Sequence, residues 1–178
     1  MRHEIIISGF GGQGVLLAGQ ILTNAGMIEN KNVSWIPAYG PEMRGGTANC
    51  SIIISDAPTG SPMIDEPTAA VVLNLPSLDK FESMVKAQGV LIVNSSLIDK
   101  AVKRDDIQVY RVPFNEIANE LGNPKMANMV ALGALLAATD VVQSECLFEA
   151  FSKKFASKPE VIAANRRAIE RGYDCIKC

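Results

Sequence analysis

The sequence predicts an α/β fold: a Rossmann-like three-layer sandwich with a mostly parallel sheet and helices on both of its faces. Three observations predict it. Short runs such as AAVVLNL have almost no polar side, which is typical of strands buried on both faces. These runs alternate with segments whose apolar residues recur every three or four positions, as in amphipathic helices. The first run ends in a glycine cluster, GFGGQG, that opens such a helical segment. This alternation implies crossover connections between parallel strands.

The first half of the chain contains four predicted strands and two predicted helices. The strands are Glu4–Ser8, Val33–Tyr39, Thr47–Ser55 and Ala69–Leu75. The first helix places apolar residues on one face from Val15 to Ala25, and Gly26 provides its stop. Pro37 predicts that the second strand has an irregular end or lies at a sheet edge, since proline has no N–H to donate. A second helix is predicted to begin near Pro76.

The second half contains two predicted strands and three predicted helices. The strands are Val90–Asn94 and Ile107–Val112. The helices are roughly Lys125–Thr139, Ser144–Ala156 and Lys158–Arg171. A capping box of Ser157 and Glu160 announces the last of them. In the apolar helix, Met126 and Met129 are expected to fill the core, while Asn128 is either a satisfied buried amide or a partner contact.

Length and composition favour one domain, residues 1–178, with a core of ordinary size. The chain has 178 residues and is 48% hydrophobic, which is enough to bury a core without disulfides or metals. A formal net charge of −2 offers no basic face for nucleic acid. The longest apolar or small stretch, Met129–Ala138, is too short to span a bilayer, and the N-terminus shows no leader segment. We therefore expect a cytoplasmic protein without membrane or nucleic-acid partners.

The four cysteines show no metal-binding spacing except at the C-terminus, where Cys175 and Cys178 form a C-x-x-C pair. Structural zinc and iron–sulfur sites usually need four ligands in a closer arrangement. Reduced, non-ligating thiols are the simplest interpretation. A terminal redox disulfide and a metal site shared with another chain remain alternatives.

The glycine loop after the first strand has the spacing of a dinucleotide fingerprint, with Gly9, Gly11 and Gly14 as its glycines. In that fingerprint the first glycine permits a tight turn, the second permits close approach of a ligand or chain, and the third permits helix–strand packing. The positive end of the following helix favours an anion. Three interpretations stay open: packing with an inter-subunit contact, binding of an anionic part of a ligand, and binding of a complete dinucleotide.

The acidic residue that completes a dinucleotide site is missing. It should end the second strand and bind the ribose hydroxyls, but that strand ends in Ala38, Tyr39 and Gly40. Glu29 and Glu42 flank it at unsuitable positions. A P-loop is also excluded, because no Gly-Lys-Ser/Thr follows the glycines.

A second loop, YGPEMRGG, carries the more unusual chemistry. It joins an aromatic ring, a carboxylate, a guanidinium and three glycines at Tyr39, Gly40, Pro41, Glu42, Met43, Arg44, Gly45 and Gly46. It directly follows the second strand, and loops after parallel strands gather at one sheet edge, so we expect it beside the first loop, with the two leaving adjacent strands. Arg44 could clamp a phosphate or carboxylate. Equally, Glu42 and Arg44 could pair with each other or across a subunit interface.

Nothing in the sequence resembles a complete catalytic site. There is no nucleophile elbow and no metal-ligand cluster, and the only histidine is His3. An enzymatic role would therefore be shared with other chains. The candidate ligand or subunit-interface residues are Gly9, Gly11, Gly12, Gln13, Gly14, Tyr39, Gly40, Pro41, Glu42, Arg44, Gly45 and Gly46.

The combination of GFGGQGV with IPAYGPEMRGGTANCSIIIS resembles the gamma subunit of 2-oxoacid:ferredoxin oxidoreductases, which act on pyruvate, 2-oxoglutarate, 2-oxoisovalerate or indolepyruvate. The similarity continues through NPKMANMVALGALLA and VIAANRRAIERGYD, so that it covers essentially the whole chain. GxGGQG alone is weakly specific, but at this spacing from YGPEMRGG it is highly specific.

The resemblance implies a complex that oxidatively decarboxylates a 2-oxoacid to its acyl-CoA and passes electrons to ferredoxin. It implies alpha, beta and ferredoxin-like delta partner subunits, which hold thiamine diphosphate, magnesium and iron–sulfur clusters, with coenzyme A as a substrate of the complex. The residues agree: the chain has neither a Gly-Asp-Gly motif nor a C-x-x-C-x-x-C run. Cys175 and Cys178 are not expected from the resemblance.

Two other functions are compatible with the residues, namely a stand-alone nucleotide-binding protein and a purely structural subunit. For the 2-oxoacid, the general resemblance favours 2-oxoglutarate. A homodimer of the chain is also compatible with the sequence.

Overall fold

The computed structural model describes residues 1–40 and 46–177 and contains one six-stranded sheet and six α-helices in that part of the chain. The strands are β1 (Arg2–Phe10), β2 (Asn32–Tyr39), β3 (Thr47–Ser55), β4 (Ala69–Val72), β5 (Val90–Asn94) and β6 (Gln108–Val112). The helices are α1 (Val15–Ile28), α2 (Leu75–Phe81), α3 (Phe114–Glu120), α4 (Ala127–Thr139), α5 (Ser144–Lys154) and α6 (Pro159–Lys177).

The strand order is β2-β3-β1-β4-β5-β6, and only β3 runs against its neighbours. The pairs β1–β4, β4–β5 and β5–β6 are parallel. The prediction of a mostly parallel sheet is therefore confirmed. β3 is the exception because residues 40–46, which join it to β2, are too few for a crossover and can only return the chain as an antiparallel neighbour.

The position of β3 corrects one expectation from the sequence. β3 lies between β1 and β2, so the two glycine-rich loops do not leave adjacent strands. Both still leave the same edge of the sheet, because β1 and β2 are each antiparallel to β3 and therefore run in the same direction.

Helices cover both faces of the sheet, as predicted. The larger core lies on one face, where Ile5, Ile7 and Val71 pack beneath residues of α1 and α3–α6. The smaller core lies on the other face, where Ile6, Val72 and Leu91 of the strands pack against Leu78 and Phe81 of α2. Consecutive strand residues thus serve opposite cores, which explains why these runs are continuously apolar.

Two helices differ from the sequence predictions. α3 was not predicted, since its buried residues Phe114, Ile117 and Ala118 form barely two turns of apolar pattern. α6 begins at Pro159, and the Lys158 carbonyl accepts the first helical bonds, from the N–H groups of Val161 and Ile162. Lys158 is therefore the N-cap, one residue after the predicted capping serine, because proline is well suited to the first helical position.

The sheet has a topological switch between β1 and β4. The chain leaves β1 toward the face covered by α1 and leaves β4 toward the face covered by α2. In open α/β sheets, ligands bind beyond the carboxyl ends of strands near such a switch. The GFGGQG loop lies at this place. Within the described ranges, no helix is both long enough and apolar enough to cross a membrane.

Candidate functional site at the glycine-rich edge of the sheet

The first loop is a β-turn closed by both the backbone and the side chain of Gln13. The Gln13 N–H donates to the Phe10 carbonyl at 3.1 Å, and Gln13 Oε1 accepts the Phe10 N–H at 2.6 Å. Gly12 occupies the third position of the turn with φ of 96°, a conformation that strongly favours glycine. A Cβ on Gly12 would meet no atom of the described residues within 4 Å, so the described part of the chain leaves space beside it for a ligand.

Gly14 ends the loop and starts helix α1. It has a left-handed conformation, with φ of 75° and ψ of 20°, and its carbonyl accepts the Ala18 N–H at 3.0 Å. The same carbonyl accepts a second bond at 3.1 Å from Asn128 Nδ2 of α4. The sequence alone left Asn128 as a satisfied amide or a partner contact, and the structure shows a satisfied amide bonded to the loop.

The glycines divide their roles differently from the fingerprint. Gly9 provides close packing, since a Cβ there would lie 3.1 Å from the side chains of Leu73 and Val15 and 2.6 Å from Gln13 Oε1. Gly12 and Gly14 provide the left-handed conformations. Gly12 is not one of the three fingerprint glycines, so the fingerprint identifies the loop correctly but assigns the turn to the wrong residue.

The described ends of the second loop lie beside the first. The Gly11 N–H donates to the Gly46 carbonyl at 2.9 Å, and the Gly40 N–H donates to the Thr47 carbonyl at 2.7 Å. Tyr39 is 67% exposed at the end of β2. Pro41, Glu42, Met43, Arg44 and Gly45 lie outside the described residues, so the hypotheses about Glu42 and Arg44 stay predictions.

An open cavity of about 280 Å³ lies between the two loops and the start of α1. Its lining is mostly apolar and glycine-rich: Phe10, Gly11, Gly12, Gly14, Val15, Leu16, Leu17, Tyr39, Gly46, Thr47 and Ala48. None of these side chains is charged. Any charge recognition by the described lining must therefore come from backbone groups.

The backbone at this cavity offers N–H donors that no described residue accepts. α1 has no side-chain cap and no acidic residue in its first turn. The first N–H groups of a helix have no partner inside the helix. Among the described residues, no acceptor takes the N–H groups of Val15, Leu16 or Leu17, nor that of Gly12. Such donors, together with the positive helix end, are chemically suited to hydrogen-bond an anionic group.

The described lining contains no carboxylate of the kind that binds the ribose hydroxyls of a dinucleotide. Glu29, the described carboxylate nearest in sequence to β2, accepts the Gln143 N–H and pairs with Lys31 at 3.0 Å. It follows α1, beyond the far end of that helix from the glycine loop. This arrangement favours recognition of an anionic group over recognition of a complete dinucleotide.

Two cysteine thiols are unsuited to nucleophilic chemistry. Cys50 is fully buried, and burial raises its pKa to about 12. The pKa of Cys146 is raised by burial first and then by the nearby Glu29 carboxylate. Both thiols therefore stay protonated near neutral pH. Among residues 1–40 and 46–177, no three His, Cys, Asp or Glu side chains are grouped as metal ligands. Cys178 lies outside these ranges.

The structure defines an α/β domain with a glycine-rich cavity at the carboxyl edge of its sheet, beside the first backbone N–H groups of α1. The chain belongs to the pyruvate ferredoxin/flavodoxin oxidoreductase family, whose model matches residues 4–175. This finding confirms the resemblance noted in the sequence.

Three similar proteins are informative. The chain is 38% identical to the 2-oxoglutarate synthase subunit KorC of Methanocaldococcus jannaschii, covering 99% of this chain and 95% of the relative. It is also 38% identical to the ketoisovalerate oxidoreductase subunit VorA of Methanothermobacter marburgensis, covering 96% of this chain. This chain spans only 36% of the length of VorA. The crystal structure of the keto/oxoacid ferredoxin oxidoreductase gamma subunit from Geobacter sulfurreducens matches with a TM-score of 0.85 and 33% identity over 98% of both chains.

Proposed function

We propose that this chain is the gamma subunit of a 2-oxoacid:ferredoxin oxidoreductase, a complex that converts a 2-oxoacid and coenzyme A to acyl-CoA and carbon dioxide while reducing ferredoxin. Thiamine diphosphate, magnesium and iron–sulfur clusters belong to partner subunits in this proposal. The family match over residues 4–175 supports it, as does the similarity to gamma-type subunits over nearly their full length.

Within that complex, we infer that the glycine-rich edge holds the diphosphate of coenzyme A. The single observation that carries this role is the set of N–H donors at the start of α1 that no described residue accepts, beside a cavity of about 280 Å³ whose described lining is uncharged. A diphosphate takes hydrogen bonds from such donors and is further stabilised by the helix end. Arg44 adds a candidate guanidinium clamp, because the loop that contains it starts and ends beside the Gly9–Gly14 turn.

Leu16 offers a direct test, because it lies in the first turn of α1 and lines the cavity. A Leu16→Glu variant places a carboxylate where the diphosphate would bind, and Leu16→Gln is the uncharged control of nearly equal shape. In the assembled complex, Leu16→Glu should raise the KM for coenzyme A about tenfold above that of Leu16→Gln, the effect of roughly 1.4 kcal/mol. Arg44→Ala should raise the same KM.

The outcomes separate the proposed role from its alternatives. Equal coenzyme A KM values for Leu16→Glu and Leu16→Gln, with full activity of both, would refute the coenzyme A role and favour a purely structural subunit. Tight binding of NAD, NADP or ATP to the purified chain would instead favour a stand-alone nucleotide-binding protein.

For the partners, we propose alpha, beta and delta subunits, with ferredoxin as the electron acceptor of the complex. One cytoplasmic domain formed by residues 1–178 is consistent with this assembly, and a homodimer of the chain is a further possibility that sedimentation would test. Co-purification with thiamine-binding subunits would support the assembly. The choice of 2-oxoacid belongs to those partners: the chain is 38% identical both to a 2-oxoglutarate relative and to a ketoisovalerate relative, although general resemblance favours 2-oxoglutarate.

A further inference from the structure

Asn128 is a buried polar residue in an otherwise apolar helix. It is the second residue of α4, is only 4% exposed, and is followed by buried apolar or small residues up to Ala137. A buried amide costs free energy unless its hydrogen bonds are made, so its place in this helix needs a reason. The tertiary bond that it makes is to the Gly14 carbonyl, across 114 positions of sequence.

The geometry around Gly14 shows what this bond holds in place. A Cβ on Gly14 would lie 2.3 Å from Asn128 Nδ2, so the amide packs directly against the glycine as well as bonding its carbonyl. The carbonyl accepts two donors, the Asn128 amide at 3.1 Å and the Ala18 N–H at 3.0 Å. Both of its lone pairs are therefore used, and the orientation of the peptide group is fixed.

Fixing this peptide also fixes a donor of the anion site. The bond between Gly14 and Val15 is trans, as are all the described peptide bonds. In a planar trans peptide the C=O of one residue and the N–H of the next point in opposite directions. An anchored Gly14 carbonyl therefore directs the N–H of Val15, a residue that lines the cavity, away from α4.

We propose that Asn128 is a positioning residue for coenzyme A binding: its bond to the Gly14 carbonyl presets the first N–H group of α1 for the diphosphate. The inference rests on the proposed function of the glycine-rich edge and adds a residue from a distant helix to it. Preset donors bind an anion more tightly, since no reorientation is needed when the ligand arrives.

The test replaces the donor in two ways. Asn128→Leu keeps nearly the same size without a donor, and Asn128→Ala truncates the side chain if leucine prevents folding. Asn165 provides the matched control, because its Nδ2 donates to the Val161 carbonyl at 2.9 Å within α6, outside the cavity lining. Asn165→Leu and Asn165→Ala also remove a bond from a side-chain amide to a backbone carbonyl, but one within a single helix.

In the assembled complex, the Asn128 variants should raise the KM for coenzyme A about fivefold, the ordinary effect of one buried hydrogen bond. The kcat and the KM for the 2-oxoacid should change by less than about twofold, because coenzyme A binding alone is affected. The Asn165 variants should leave all three values unchanged. A structural role alone would lower the melting temperature of the Asn128 variants without changing the coenzyme A KM, and that result would overturn the proposal.

The Leu16 pair separates failure of this inference from failure of the proposed function. If Leu16→Glu raises the coenzyme A KM and the Asn128 variants do not, only the positioning role is wrong. If neither affects it, the coenzyme A site is not at this edge and both proposals fall. Loss of folding in both Asn128 variants, with the Asn165 variants intact, would show that the bond serves the fold itself and would also overturn the inference.

Discussion

Two glycines allow α4 and α6 to cross with their backbones in contact. A Cβ added to Gly133 of α4 would lie 1.9 Å from the Ile169 carbonyl oxygen of α6. A Cβ added to Gly172 of α6 would lie 2.0 Å from the Val130 carbonyl oxygen of α4. Each helix thus places a glycine opposite the backbone of the other. We expect Gly133→Ala and Gly172→Ala each to destabilise the fold.

The magnitude follows from two opposing terms. An added Cβ needs at least 1 Å of extra space at either position, because real Cβ atoms essentially never approach closer than 3.0 Å. The obstacle is a helix backbone, which cannot rotate away as a side chain can, so the overpacking cost should reach or exceed the top of the usual range of about 1–3 kcal/mol. In the other direction, alanine stabilises a helix interior by about 1 kcal/mol relative to glycine. We therefore expect a net loss of about 2 kcal/mol for each variant.

Thermal unfolding of the purified chain followed by circular dichroism measures this loss. A loss of 2 kcal/mol should lower the melting temperature by roughly 4–8 °C for a chain of this size. Gly60→Ala is the control: a Cβ there would meet no described atom within 4 Å, so its melting temperature should stay the same or rise slightly. The double variant should lose less than the sum of the single variants, because one separation of the two helices relieves both clashes.

A higher melting temperature for Gly133→Ala would refute this reasoning, because it would mean that helix propensity outweighs the contact. Strict additivity of the two substitutions would refute the idea that the glycines serve one shared crossing.

Two further predictions concern titratable groups. Burial, followed by the nearby positive charges of Lys31 and the N-terminus, lowers the pKa of His3 below its ordinary value of 6.5. The unfolded chain therefore binds a proton more readily than the folded chain, so the free energy of unfolding should fall as the pH drops through 6.5. This fall should be smaller in His3→Gln, which lacks the imidazole. As His3 is the only histidine, its imidazole NMR signal gives the folded pKa directly, and a value above 6.5 would contradict this prediction. Cys50 should resist a disulfide reagent such as dithionitrobenzoate in the folded chain, because its thiol is buried with a pKa of about 12. In a variant whose other cysteines are replaced by serine, Cys50 should react only after the chain is unfolded in urea. Fast reaction without urea would contradict the burial of Cys50.

The sequence predicts most of the sheet because its strands carry local signals. Val90–Val93 is apolar throughout, and β5 has the predicted bounds Val90–Asn94. The direction of β3 was also within reach of the sequence, since residues 40–46 are too few for a crossover. The placement of β3 between β1 and β2 was not, because it depends on pairing between strands far apart in the chain. α3 was not predicted for a different reason. Its seven residues contain too little apolar periodicity to distinguish a short helix from a turn.

The candidate site also combines a local feature, visible in the sequence, with a contact that only the fold creates. The Gly9–Gly14 turn is a local feature, because its closing bonds lie between Phe10 and Gln13, and its spacing is visible in the sequence. Asn128 is not visible in this way, since a single asparagine before an apolar helix gives no sign of the residue that it will meet. A local motif can indicate that an anion site exists. How rigidly the site is held depends on a contact that only the folded chain creates. Sequence reasoning should therefore find such loops more reliably than the distant residues that position them. The bond between Asn128 and Gly14 joins a residue of each kind, so variants of the loop and of Asn128 test this difference in one protein.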